Sequence, residues 1–172
     1  EVSGNRADSG GGVYAHGTLL IQSSVLGDNS ATEDGGGLYL TGYMNADEVW
    51  VDGDFSINAS TIYDNAAGNT GGGLILHGTA YVNHATIARN TARIGGGVAT
   101  AISTAVEIEN STIYENSAWE DAGGIFCGTD CEPNKFAITQ SVVAKNESYH
   151  GSLNIGGELT SRGHNYIGAI YG

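Results

Sequence analysis

Apolar residues alternate with polar ones in short segments along this chain, and the segments repeat. Leu19 and Ile21 are separated by one residue, and the same spacing returns at Phe55 and Ile57. Alternation with period two predicts β-strands that bury one face, and it argues against helices. Because matching segments return about every 25 residues, the strands of successive repeats are expected to stack on one another.

Five apolar columns appear when the repeats are aligned. Two columns follow a block of glycines in each repeat, and they consist of Val13, Leu38, Leu74, Val98 and Ile125 and of Ala15, Leu40, Leu76, Thr100 and Cys127. Two more lie in the following strand, where Leu19 with Ile21 corresponds to Phe55 with Ile57, Ala80 with Val82, Val106 with Ile108, and Phe136 with Ile138. The fifth column runs from Leu26 to Val143 and includes Ile62, Ile87 and Ile113, which we expect to be buried. Parallel strands stacked about 4.8 Å apart require such columns.

A short motif marks one turn of every repeat: a small residue, any residue, an aliphatic residue, two variable residues and an asparagine. The segment from Ser60 to Asn65 is a complete copy, and a truncated copy begins at Val2. Asparagine tolerates left-handed backbone and bonds nearby backbone groups, and stacked amides form ladders. We therefore predict a structural asparagine ladder made of Asn5, Asn29, Asn65, Asn90, Asn116 and Asn146.

The glycine blocks support the same architecture. The chain has 28 glycines and one proline, and most repeats place two or three glycines after the asparagine. Glycine allows tight turns and close backbone contacts. No helical pattern follows these blocks, so they do not resemble phosphate-binding loops.

These patterns predict an all-β fold, a right-handed parallel β-helix of about six coils of roughly 25 residues each. We assign residues 1–172 to one domain, with insertions near 43–54 and 128–135. The first repeat lacks the strand that precedes the motif in later copies, and no capping segment is evident. The chain is therefore expected to be an excerpt of a longer solenoid or a unit that self-associates end to end.

Two stretches resemble a known family. Gly-Gly-Gly-Leu-Ile-Leu-His-Gly-Thr, followed by Ala-Thr-Ile-Ala-Arg-Asn-Thr-Ala, is similar to the repeats of bacterial cell-surface β-helix proteins, including polymorphic outer-membrane autotransporter passengers and anchored surface proteins. The segment from Gly157 to Gly168 resembles the last coil of such proteins. The resemblance implies export and an extracellular or cell-surface location, and it specifies the scaffold rather than an activity.

The net charge of the chain limits the classes of partner that it can bind. Nineteen acidic and six basic residues give a net charge of −13 with histidine neutral. A surface of this sign repels nucleic acid, so we predict no nucleic-acid partner, whereas cations, neutral glycans and surface proteins remain. No apolar run is long enough to span a bilayer, so no transmembrane segment is predicted.

Outward positions beside the glycine blocks supply candidate binding residues. Three aromatic residues, Tyr14, Tyr39 and Phe126, fall in one column. The next outward column contains His16, Thr41 and His77. Aromatic rings in a column provide a platform for sugar rings or for a partner's side chains, although they also stabilise neighbouring strands.

The two insertions hold the remaining candidate chemistry. The pattern of Asp47, Glu48, Asp52 and Asp54 favours a solvated acidic loop over a calcium site; no cofactor is predicted, and calcium is the alternative. Cys127 and Cys131 lie four residues apart, which fits a loop-closing disulfide or unpaired thiols better than a metal site.

Two classes of function follow. The first is a non-enzymatic extracellular or cell-surface scaffold that is adhesin-like, binds a glycan or protein partner, or forms fibres. The second is a polysaccharide-active enzyme, a lyase or a glycoside hydrolase of the β-helix type. Lyases that act on acidic sugars need basic residues, and the chain has only six. We therefore favour the scaffold and assign no catalytic residue.

Overall fold

The computed structural model describes residues 1–100, 105–128 and 135–168. Within these ranges all regular structure is strand, and parallel sheets stack as a β-solenoid of about six turns with a spacing of about 26 residues. The predicted parallel β-helix is therefore confirmed. No helix in these ranges has the length and apolar character needed to cross a membrane.

Each turn of the solenoid passes through four parallel sheets, which we number I to IV in chain order. Sheet I contains the strands of the asparagine motif: Val2–Ser3, Val25–Gly27, Thr61–Tyr63, Thr86–Ala88, Thr112–Tyr114, Val142–Ala144 and Tyr166–Gly168. Sheet II contains the strands after the asparagine: Arg6–Ala7, Ser30–Ala31, Ala66–Ala67, Thr91–Ile94, Ser117–Asp121 and Glu147–Ser148.

Sheets III and IV complete each turn. Sheet III contains the strands after the glycine block: Val13–His16, Leu38–Thr41, Leu74–Leu76, Val98–Thr100, Ile125–Cys127 and Ile155–Gly156. Sheet IV contains the strands that lead into the next motif: Thr18–Gln22, Gly53–Asn58, Gly78–Asn83, Ala105–Glu109, Phe136–Thr139 and Thr160–Ser161.

The core consists of the predicted apolar columns. Ile62 pairs with Ile87, and Ile87 pairs with Ile113, and all three side chains are 0 % exposed. The register of sheets III and IV aligns the remaining columns as predicted. Full burial of one such side chain contributes about 1.5–3 kcal/mol, so stacking the turns supplies most of the driving force for folding.

An asparagine ladder runs through the corner between sheets I and II. The backbone N–H and Nδ2 of Asn65 both donate to Oδ1 of Asn90, at 3.0 and 2.9 Å. Nδ2 of Asn90 also donates to the carbonyl of Ile62 in the previous turn, at 3.0 Å. Contacts between side chains join all six asparagines of the motif, and the run is buried from Asn29 to Asn146 and exposed at Asn5.

The left-handed residue at this corner is not the asparagine. The positive φ angles belong to the residues immediately before the asparagines: Gly4, Asp28, Asp64, Arg89, Glu115 and Lys145. The expectation that asparagine is chosen for left-handed backbone is therefore wrong at this corner. Its role lies in the side chain, which satisfies a backbone N–H and a carbonyl of the previous turn and bonds the side chain of the next asparagine.

The glycine blocks exist because the asparagine ladder leaves no room beside it. A Cβ atom on Gly73 would lie 2.5 Å from the Gly97 carbonyl oxygen and 3.0 Å from Nδ2 of Asn90. The third glycine of the other blocks faces the asparagine of the following turn in the same way. The two repeated signals in the sequence, glycine and asparagine, therefore describe one packed corner.

The first predicted insertion folds as a hairpin. Tyr43–Met44 and Trp50–Val51 form a two-stranded antiparallel sheet that projects from the end of the second sheet III strand. Tyr43, Met44, Val49 and Trp50 are all exposed. The second predicted insertion, near 128–135, lies largely outside the described residues.

Candidate binding surfaces

The first aromatic surface lies on sheet III and consists of Tyr14, Tyr39 and His77; we call it the Tyr14 surface. Tyr14 and Tyr39 are paired in register, and their rings stack with centroids 5.0 Å apart and an interplanar angle of 6°. The ring of His77 continues the row at 5.3 Å from Tyr39, tilted by 32°. The strand spacing of the solenoid sets the distance between the two tyrosine rings, whereas His77 belongs to the column of Thr41 and its ring reaches Tyr39 from the adjacent column.

The neighbouring outward positions of sheet III are partly used by other contacts. His16 pairs in register with Thr41, which is buried. The ring of His16 lies 6.0 Å from that of Tyr43, the first residue of the hairpin. The hairpin therefore lies beside the Tyr14 surface, next to His16.

Burial sets the electrostatics of this surface. Desolvation lowers the pKa of His77, and the carboxylate of Asp34 opposes that shift. Nε2 of His77 is buried without a hydrogen-bond partner. Burial and the nearby Tyr14, Asp34 and Glu33 raise the pKa of Tyr39. At neutral pH the rings of Tyr39 and His77 are therefore uncharged, which suits stacking with a neutral ligand.

Phe126 does not join the two tyrosines. It falls in the predicted column, but Ile75 and Ala99 occupy the two turns between Tyr39 and Phe126. Both intervening side chains are buried, at 5 % and 0 % exposure. The expected platform of three aromatic residues is therefore wrong as a continuous surface, because rings two or more turns apart cannot touch.

The four acidic residues of the first insertion are all exposed. Asp47, Glu48 and Asp52 belong to the hairpin, whereas Asp54 lies in the adjoining sheet IV strand. Asp52 accepts a hydrogen bond from Nε1 of Trp50 at 2.8 Å. Among the described residues, no group of three or more His, Cys, Asp or Glu side chains is placed to hold a metal ion. Calcium binding by this hairpin stays a hypothesis.

The cysteine prediction is only partly covered by the described residues. Cys127 is buried, disulfide-bonded, and within 3.7 Å of the Thr100 hydroxyl, which donates to its sulfur. Cys131 lies outside the described residues. The pairing of these two cysteines therefore stays a prediction.

Sequence reasoning missed a second aromatic surface, on sheet II, which consists of Trp119, Tyr149 and His150; we call it the Trp119 surface. Trp119 and Tyr149 follow the paired residues Ala118 and Ser148, and their rings stack at 4.6 Å and 8°. The ring of His150 meets both rings edge-on, at 5.4 and 4.9 Å. The signal in the sequence is the position after the small residue that follows each asparagine, which holds Trp119 and Tyr149 in successive repeats.

The fold and these surfaces define a class: a parallel β-solenoid protein that exposes stacked aromatic residues on its outer faces. Over 68 residues the chain is 37 % identical to the probable outer membrane protein PmpB of Chlamydia trachomatis. The matched segment covers 38 % of this chain and 4 % of that protein, so the chain spans a small share of its relative's length. This match confirms the resemblance that the repeats indicate. No protein-family model and no solved structure matches the chain.

Proposed function

We propose that this chain is part of a non-enzymatic β-helix scaffold at a bacterial cell surface, adhesin-like, whose outer faces bind a glycan or protein partner. The observation that carries the proposal is the exposure of stacked rings on a rigid solenoid. Tyr14 is 55 % exposed although its ring already stacks on Tyr39. Exposed aromatic area of this kind marks interaction sites, because water solvates it poorly.

The match to an outer membrane protein supports the location. An antibody raised against the solenoid is expected to label intact cells of the producing bacterium, and protease added outside is expected to remove the signal. A cytoplasmic protein in the same cells serves as the control and should stay unlabelled. Labelling that requires lysed cells would contradict the proposal.

A second candidate, a polysaccharide-active enzyme, has one observation in its favour. A groove of about 250 Å³ on sheet IV brings Lys135 and Arg162 beside Tyr81. Cations next to a phenol are a setting in which the acidic proton of a uronic sugar can be removed. However, Arg162 is ion-paired with Glu107. The hydrogen bond from Tyr81 to Glu109, at 2.7 Å, raises the pKa of the phenol, which keeps it protonated at neutral pH and unavailable as a base.

The enzyme candidate is tested with purified protein and a panel of acidic and neutral polysaccharides. We expect no release of unsaturated or reducing ends. Reproducible release that disappears in Lys135→Ala, but persists in the distant Lys145→Ala, would replace the scaffold proposal with the enzyme.

A further inference from the structure

A groove on sheet II runs between two rows of outward side chains. Its volume is about 390 Å³. Thr91, Ser117 and Glu147 form one wall, and the strand register stacks them in successive turns. Small residues form the floor, and Trp119 and Tyr149 form the opposite wall. The alternation of a β-strand thus places a polar row and an aromatic row two residues apart on one face.

The aromatic wall remains open to a ligand. Trp119 and Tyr149 are 57 % and 73 % exposed, although they stack on each other and His150 contacts both. The face of a ring carries partial negative charge, so it attracts the weakly positive C–H groups of a sugar ring. The stack therefore offers a flat surface for the less polar face of a pyranose.

The polar wall supplies unused hydrogen-bonding groups. In the described part of the chain, the side chains of Thr91, Ser117 and Glu147 make no hydrogen bond to protein. Two hydroxyls can donate and accept, and the carboxylate accepts only. Such a row complements the hydroxyl rim of a sugar, whose groups donate as well as accept.

The charge around the groove selects among sugars. Glu147, Glu120 and Asp121 bring carboxylates to this face, and the guanidinium of Arg93 is already paired with Glu120 at 2.7 Å. Acidic sugars would meet like charge without a free cation in the groove wall, which disfavours them. A neutral sugar meets no such barrier.

We propose that this groove is a binding subsite for a neutral pyranose of an oligosaccharide, stacked on the Trp119 surface and hydrogen-bonded to Glu147 and Ser117. The inference rests on the proposed function and names the ligand class of a surface scaffold. It differs from the sequence-based hypothesis, which placed glycan binding on Tyr14, Tyr39 and their neighbours on sheet III.

Calorimetric titration with neutral hexasaccharides of glucose, N-acetylglucosamine and mannose tests the subsite, with an oligogalacturonate as the acidic comparison. At least one neutral probe is expected to bind at millimolar concentrations. Trp119→Ala and Tyr149→Ala should each weaken that binding about tenfold, since one aromatic contact is worth about that much. Trp50→Ala is the matched control, because it removes the other tryptophan, which is also half exposed and lies on the hairpin.

Circular dichroism of each variant shows whether it is folded, and Trp119→Leu, which removes the flat ring but keeps an apolar side chain, replaces an alanine variant that fails to fold. Absence of binding by every neutral probe would overturn the subsite, as would equal affinity in Trp119→Ala or stronger binding of the oligogalacturonate. Surface labelling of intact cells is independent of these titrations. If labelling succeeds and sugar binding fails, only the subsite falls, whereas failed labelling removes the cell-surface scaffold itself.

Discussion

The asparagine corner and the Trp119 surface lie three residues apart along the chain, yet they are built in opposite ways. At the corner, every turn uses the same residue types, and the side chains of Asn65, Asn90 and Asn116 are at most 1 % exposed with their hydrogen bonds satisfied. Three residues beyond Asn116, Trp119 is 57 % exposed. The corner repeats because stacking requires it, whereas the outer face is under no such requirement.

The outer column itself shows this freedom. Each turn places a different residue after the small residue of sheet II, in the order Asp8, Thr32, Gly68, Arg93, Trp119 and Tyr149. A position that tolerates acid, hydroxyl, glycine and arginine is not fixed by the core. Two aromatic residues in succession there are available for binding, and we expect repeated positions to control stability and unrepeated ones to control recognition.

The largest expected effect lies at the corner. Asn90→Ala removes the acceptor of two Asn65 donors and the donor to the Ile62 carbonyl. Leaving several buried polar groups unpaired is expected to lower the free energy of unfolding by about 3–6 kcal/mol. Urea denaturation measures it, with the exposed Asn69→Ala as control, expected within about 0.5 kcal/mol of wild type. Equal stability of the two variants would show that the ladder is dispensable.

A smaller loss is expected from the apolar column. Ile87→Ala leaves a cavity between Ile62 and Ile113 and should lower the free energy of unfolding by about 2–5 kcal/mol. Val142→Ala in the same sheet, where the side chain is 38 % exposed, is the matched control. If both variants lose the same amount, position 87 is not the buried centre of a column.

The positions that recur in every turn are predicted well from the sequence. The columns through Ile62 and Leu74 follow from period-two alternation and a fixed repeat, which are local signals reinforced in every turn. Even the final rung is irregular, however: Oδ1 of Asn154, only eight residues after Asn146, takes the place of the next motif asparagine. The repeat spacing does not predict this asparagine, because only eight residues, rather than a full turn, separate it from Asn146.

The unrepeated half could not be predicted in the same way. Trp119 and Tyr149 lie 30 residues apart and meet only because Ala118 and Ser148 are paired in register. Phe126 shows the converse, since column membership alone placed it with Tyr39 although Ile75 and Ala99 separate them. A ring contact requires occupancy of adjacent turns, and that depends on single residues rather than on the repeat.

The pH dependence of stability tests whether His77, in the Tyr14 surface, contributes to the stability of the fold. Its pKa is lowered by burial, so the unfolded chain takes up the proton first as pH falls below the ordinary value of 6.5. Stability is therefore expected to fall below that pH in the wild type and to fall less in His77→Gln. Urea denaturation at several pH values measures the difference, and the exposed His16→Gln should behave as wild type. If stability falls with pH in the same way in all three proteins, the burial of His77 does not make stability depend on pH.

The smallest expected effect concerns the acidic hairpin. If its carboxylates hold calcium, millimolar calcium raises the melting temperature by mass action. Asp47→Asn combined with Glu48→Gln should abolish that rise, and Glu33→Gln should leave it unchanged. An identical melting temperature with calcium and with a chelator would identify the hairpin as acidic surface.

The division between repeated and unrepeated positions is tested most directly by the free energy of unfolding of the double variant Trp119→Ala/Tyr149→Ala, measured beside Asn90→Ala. This division predicts a loss of about 1 kcal/mol for the double variant, the value of one exposed aromatic pair, against several times that for Asn90→Ala. A double variant as unstable as Asn90→Ala would contradict it, because the Trp119 surface would then be part of the structural scaffold rather than a surface kept free for binding.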